Sequence, residues 1–539
     1  MKNFVTITPN GQFALDGRRW YCNSTIYFGH HPGAMRDWFT DESWAINAPV
    51  LDRDFGRMAA LGLNHAALFL TNAMFFDAGK PVQKGYDRMD QVIATAKKHG
   101  IRVTLFCGPF IDNEAEYFRI TGRKWEHDNR WLPSFNPALF DAYVTQTRGL
   151  AERYRNEPAV LGYGDRIDRF HKGFDNVSIP FNLKEEWAAH LKRKFGSLAE
   201  LRAACGGKIE GDPKDFHEVL LPQESKFNGS LQNPLGYEYI LWQKKTIGDT
   251  QAQWDAAMMK IAPQQVMWTP FEGNTNTWAM IDGFSPETKK LHAIWMEYYY
   301  FEVTRVGPVQ PFDEWAHTTE IIHRRLSHQL PVIYNSAYMM TRYLKRSVQQ
   351  PVVICHGVQL GYRCQGAETP EQQAALVDRV NAACLAADGD GWHYWNWTDD
   401  WESSEAHKAA QKKTPTDFYW NGESMGLYDH DDDPRPVTAL VSMYSRELAR
   451  RSGGTRSVAS TGVGHDGAWP SKTSDVLLLS SAPRNYNLFR RLAYPTVAAV
   501  SGALTRCGIE ADYLWTAQND IQITPETLAA RSEEHTSEL

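Results

Sequence analysis

One repeated junction constrains this chain more than any other feature: an amphipathic helix stops at a glycine, and a short apolar strand follows almost at once. Leu51 to Leu61 has helical spacing and stops at Gly62 before the strand-like Asn64 to Leu70; Met89 to His99 stops at Gly100 before Ile101 to Cys107. Glycine suits such ends because it takes the left-handed conformation without a Cβ penalty. The beat continues through the helix Pro137 to Arg155 and the strand Ala159 to Tyr163. With Tyr21 to Phe28 before them, and Gln265 to Phe271, His292 to Phe301, Pro351 to Cys355 and Gly391 to Trp397 after, eight candidate strands emerge. Pro331-Val332-Ile333-Tyr334 is a rival for one of these places. Strands alternating with helices of this length make a parallel sheet wound in one sense, and eight units over roughly 400 residues fit an α/β fold, a (β/α)8 TIM barrel with insertions.

The remaining segments are assigned around that barrel. Phe13 to Trp20 reads as a hairpin turning at Asp16-Gly17, and a charged helical insertion occupies about 180–262, broken near Lys194 to Leu198. The barrel region spans 1–449, and a Gly/Ser/Arg-rich linker spans 450–474. Over 475–530, the strand Asp475 to Ser480, the helix Tyr494 to Cys507 and the strand Ile509 to Trp515 form a single βαβ unit, which is too small to be stable alone, so the chain reads as truncated. Residues 531–539 lack periodicity, resemble a translated sequencing-adapter tail and are assigned to no domain.

Composition narrows the class. Against 64 acidic residues stand 57 basic ones, a net charge of -7 that builds no field for nucleic acid or an anionic membrane. The seven cysteines are odd in number and scattered, without disulfide or zinc spacing, and no signal core or membrane-length apolar run is present. A soluble, reduced, cytoplasmic protein without cofactor or metal is the expectation. Nineteen Trp, several near strand ends, suit the stacking of sugar rings.

Chemistry is expected where barrel strands end, because the loops after them converge at one mouth. The fourth strand, Ala159 to Tyr163, runs into Gly164-Asp165-Arg166-Ile167-Asp168-Arg169, an apolar run that delivers ionisable groups to that mouth. Asn156-Glu157-Pro158 precedes this strand and so belongs to the opposite end, where residues serve stability.

Together, Phe13-x-Leu15-Asp16-Gly17-Arg18-Arg19-Trp20, Ala60-Leu61-Gly62-Leu63-Asn64, Glu157 to Tyr163, Pro351 to Ile354 and Gly391 to Trp397 resemble the retaining glycoside hydrolases on (β/α)8 barrels, the family 42 β-galactosidases and the mannanases in particular. The resemblance covers about 13–444, and the C-terminal βαβ is similar to the start of the flavodoxin-like domain that follows the barrel in family 42. It implies hydrolysis of β-linked galactosides or mannosides by two carboxyl groups, an acid/base after strand four and a nucleophile after strand seven. It also implies an oligosaccharide partner and a homo-oligomer.

In the family's register, Ile167-Asp168 stands for Asn-Glu, Cys355-His356-Gly357 for Glu-Phe-Gly, and Ala67 for an arginine. Asp168 is therefore the candidate acid/base and Glu272, at the end of strand five, the candidate nucleophile. Trp395 and then Trp397, Tyr299, His356 and Asn64 are the candidate sugar-binding residues. Against each stands a plainer reading: Asp168 paired with Arg166 or Arg169, the tryptophans as core, and Glu297 and Glu302 flanking a packing run of tyrosines. The competing class is a pseudoenzyme barrel that binds sugar without cleaving it, since losing a nucleophile costs orders of magnitude in rate.

Overall fold

The computed structural model describes residues 1–30, 39–71, 74–77, 79–107, 114–122, 137–165, 183–221, 235–272, 293–298, 333–335, 337–342, 350–357, 369–399, 426–429, 431–453, 476–480, 511–515 and 533–537, with a few single positions between. Eight parallel strands close into a barrel: β1 (Cys22–Tyr27), β2 (His65–Leu70), β3 (Arg102–Cys107), β4 (Val160–Asp165), β5 (Val266–Glu272), β6 (Ala293–Tyr298), β7 (Val352–Gly357) and β8 (Gly391–Trp395). Each pairs with the next, and β8 pairs back onto β1. All eight expected strands are present. Residues 333–335 and 337–342 are helical, which removes the rival strand at 331–334.

The period of two sorts the side chains. Cys22 and Ile26, Ala67 and Phe69, Phe106, Val266 and Trp268, Val353 and Cys355 fill the interior. Tyr27, Leu68, Leu105, Tyr163, Met267, Ile354, Trp392 and Tyr394 face outward and pack under the helices. The N-terminal hairpin, Phe13–Leu15 with Arg18–Arg19, plugs the bottom, its Phe13 ring 5.5 Å from that of Trp268. Asp16 and Gly17 both carry positive φ, 54° and 75°, as a tight Asp-Gly hairpin turn requires.

The helices are α1 (Asp41–Ala60), α2 (Gln83–Lys98), α3 (Glu114–Thr121), α4 (Pro137–Tyr154), α5 (Leu183–Phe195), α6 (Leu198–Ala204), α7 (Gly236–Ile261), α8 (Pro370–Ala386) and α9 (Val437–Gly453). Two expectations change. Helix α1 begins at Asp41, not Leu51: Thr40 caps it by accepting from the Ser43 amide, and Pro49, which reads as a helix boundary, lies inside. Helix α7 is not simply part of an insertion. Its beginning joins Trp187 and Leu191 of α5 in a satellite core through Tyr239 and Trp242, whereas Trp254 and Met258 pack in the barrel's own outer core.

Val476–Ser480 pairs in parallel with Ala511–Trp515 and also with Glu533–Ser537, a strand within the segment read as an adapter tail. Among the described residues no helix is long and apolar enough to cross a membrane, and Cys22, Cys107, Cys205, Cys384 and Cys507 are free thiols.

Candidate functional site at the barrel mouth

Four aromatic rings line the interior just beneath the C-terminal edge. Phe28 follows β1, Phe69 is on β2, Phe106 on β3 and Trp395 ends β8. The Phe69 centroid lies 5.4 Å from those of Phe28 and Trp395 and 5.6 Å from that of Phe106, and Phe28 is 5.6 Å from Trp395. Gly164 of β4 makes this possible, because a Cβ there would lie 2.2 Å from the Phe106 ring. Phe28, Phe69 and Phe106 are fully buried while Trp395 is partly exposed, so the tryptophan is the member of the group that meets solvent. The peptide between Trp395 and Asn396 is cis.

The segments around the mouth are held by buried polar groups. Asp54 of α1 is inaccessible; it accepts from the Tyr27 hydroxyl at 3.0 Å and lies 2.6 Å from Nε2 of His30 in the loop after β1. Asn47 accepts from the His30 amide. Beyond β8, the Asp399 carboxylate accepts from the Gly426 amide at 2.8 Å and pairs with Arg435. Burial pushes its pKa up to about 6, against the opposing pull of the Arg435 guanidinium.

The expected site residues divide sharply. Glu272 is the last residue of β5, in register with Glu297 on β6, so the backbone places two acids side by side at the C-terminal edge. His356 lies in register with Tyr298 and Tyr394, one residue from the end of β7. Asp168 and Tyr299 fall outside the described residues. Cys355 is buried in the interior and Ala67 is inaccessible on the inner face, so at these described positions strand seven offers a thiol and strand two a methyl group.

Two candidates are corrected. Trp397 is not at the mouth: it is 1% exposed in the outer core, with its ring 4.7 Å from that of Tyr428. Past the strand end its amide turns to the Ile26 carbonyl, which carries the side chain away from the interior. Asn64 precedes β2 at the opposite end, where its Oδ1 accepts from the Asn23 amide and its Nδ2 donates to the Tyr21 carbonyl. Glu157 is at that end too, as expected: it accepts from the Ala159 amide and from Lys97. The residues missed were Phe28, Phe69 and Phe106. Their signal was the inward period of two carried through to the strand ends.

A closed parallel barrel with an aromatic-lined mouth and acids at its strand ends defines the class of (β/α)8 glycosidase-like proteins. Within it, a profile of glycoside hydrolase family 42, described as Beta-galactosidase, matches residues 41–415, and the chain belongs to that family. No curated protein sequence matches it significantly. Among solved structures it is similar to a polyextremophilic β-galactosidase from the Antarctic haloarchaeon Halorubrum lacusprofundi (13% identity, TM-score 0.61), covering 91% of this chain and 66% of that one. It is also similar to a cold-adapted β-galactosidase from Rahnella sp. R3 (15%, TM-score 0.62), covering 88% of this chain and 63% of that one. A GH5_18 protein from Streptomyces cattleya in complex with Manb1-4GlcNAc is likewise similar (14%, TM-score 0.55), over 94% of this chain and 97% of that one. At these identities the likeness is one of fold, and the chain spans about two thirds of the length of the two β-galactosidases.

Proposed function

We propose that this protein binds β-linked galactosides or mannosides at the barrel mouth and hydrolyses them with Asp168 as the acid/base and Glu272 as the nucleophile. The observation that carries the reading is Trp395: a partly exposed indole at the end of β8, backed by Phe28 and Phe69, offers an apolar face where a sugar ring stacks. Family membership supports the substrate class, and the end position of Glu272 on β5 supports its role. His356 and Tyr299 supply hydroxyl contacts in this reading. Residues 475–530 are read as the start of a flavodoxin-like domain, and the assembly as a homo-oligomer.

A second reading is favoured by a specific observation. Strand seven ends in Cys355-His356-Gly357, with Cys355 buried, which supports a barrel that holds sugar without cleaving it. Hydrolysis of aryl β-galactosides and β-mannosides by wild type, Asp168→Asn and Glu272→Gln separates the two. The first reading expects turnover that falls by about a thousandfold or more in each variant. Equal rates in wild type and Asp168→Asn would remove that residue from the chemistry. Sugar binding by calorimetry with no turnover would establish the second reading.

A further inference from the structure

Low in the interior, beneath the aromatic ring, three adjacent strands bring together residues that the sugar chemistry does not use. Ser24 of β1 stands in register with His65 of β2 on one side and His393 of β8 on the other, and Cys22 lies one inward position below Ser24. Cys22, His65 and His393 are each fully inaccessible, and one ligand atom from each lies within 4.8 Å of the others. The imidazole centroids are 5.5 Å apart, and Trp268 roofs both rings at 5.6 and 6.3 Å. Nδ1 of His65 is 2.7 Å from the Ser24 hydroxyl and Nε2 is 2.7 Å from the Thr104 hydroxyl. Barrel interiors at this level are ordinarily filled by branched apolar side chains, so a thiol, two imidazoles and two hydroxyls form an unusual layer.

We propose that Cys22, His65 and His393 bind a borderline-soft divalent cation, with Zn2+ the best match. Thiolate and imidazole are the donors that ion prefers, and its bonds of about 2.0–2.3 Å require the donor atoms to draw together by about an ångström. On binding, the Cys22 thiol gives up its proton to solvent as the sulfur–metal bond forms. One His65 nitrogen exchanges its hydroxyl for the metal, while the other keeps its partner and fixes the ring. Burial, with His393 and Arg102 beside it, holds the His65 imidazole well below its usual pKa, and the neutral ring is the ligating form. Asp390, whose carbonyl accepts from the Cys22 amide at 2.8 Å, has its carboxylate already paired with Lys345 and Arg19. The site lies toward the N-terminal end of the strands, away from the mouth, so its role is to hold β8, β1 and β2 together, not to act on substrate.

The test is titration of the untagged full chain, stripped with chelator, with Co2+ as a spectroscopic stand-in for Zn2+. The expected result is saturation at about one equivalent, with a near-ultraviolet thiolate-to-cobalt band that Zn2+ bleaches. Cys22→Ser should lose the band and weaken metal binding by more than the roughly 10–100-fold typical of losing a partner that merely orients a ligand. A wild-type chain without the band overturns the site even when that variant does not fold, and His393→Gln, which keeps the thiol, should weaken Co2+ binding by a like amount. Absence of the band in wild type at saturating Co2+, or its persistence in folded Cys22→Ser, would overturn the site in favour of an ordinary hydrogen-bonded core. Neither outcome depends on whether the mouth cleaves sugars.

Discussion

Asp399 is placed between two opposing forces. Burial disfavours its charge, while the Arg435 guanidinium and the Gly426 amide favour it, and burial is the larger effect, leaving the pKa raised to about 6. A carboxyl whose folded pKa lies above its unfolded value stabilises the fold fully below the unfolded pKa, and that contribution is lost as pH rises through the folded one. Stability attributable to Asp399 therefore falls between about pH 4 and pH 6 and is flat above. Asp399→Asn removes the titration, so the difference in urea stability between wild type and variant should change by up to about 3 kcal/mol between pH 4 and pH 7, since each pKa unit carries about 1.4 kcal/mol. A difference that stays constant over that range would show that the ion pair, not burial, governs the group. Its neighbour in sequence, Trp397, shows why single residues at strand ends are hard to assign. Trp395 and Trp397 have the same parity, yet the chain leaves the strand after Trp395, so that alternation no longer fixes which way the second indole faces.

Strands were the most legible elements, because short, mainly apolar runs that follow a helix and its terminal Gly or precede Gly, Pro or an acid admit few other readings. Helix starts were less so: the cap at Thr40 lies eleven residues ahead of the apolar spacing, and Pro49 imitates a boundary. Register, which the sequence left open, is fixed where small residues meet large ones. Thr104 pairs with Gly162 and Phe106 with Gly164, and a shift between Val103 and Thr104 leaves Leu161 as the extra residue on β4. A side chain at Gly162 would strike the Val266 carbonyl oxygen at 1.8 Å, where β4 closes on β5. Gly164→Ala is the milder test, because the obstructing atoms belong to the Phe106 ring. It should destabilise the barrel by about 1–3 kcal/mol in urea denaturation, the usual cost of overpacking, and Phe106→Leu in the same chain should recover part of the loss. Additive effects in the double variant would mean that the ring and β4 do not compete for the same space.

At the scale of the whole molecule, the class of fold was legible because it depends on the count and order of elements. The site was legible only as a location, because its chemistry depends on loops whose residues carry no period. The closed barrel uses strands between Cys22 and Trp395, and Tyr444 and Leu448 of α9 complete its outer core. Among the described residues, the strands Val476–Ser480, Ala511–Trp515 and Glu533–Ser537 form a separate sheet and pair with one another. Among the described residues, backbone pairing therefore does not join that sheet to the barrel. A chain ending after Gly453 keeps every buried member of the outer core and loses only Leu504, which packs against it, so it should keep the far-ultraviolet circular dichroism of the barrel with an unfolding midpoint within a few degrees of the full chain's. The same chain should also retain any sugar binding that depends on Trp395. A midpoint lower by about 10 °C, or insolubility of the shortened chain, would show that the C-terminal sheet covers barrel surface and that the two parts fold as one unit.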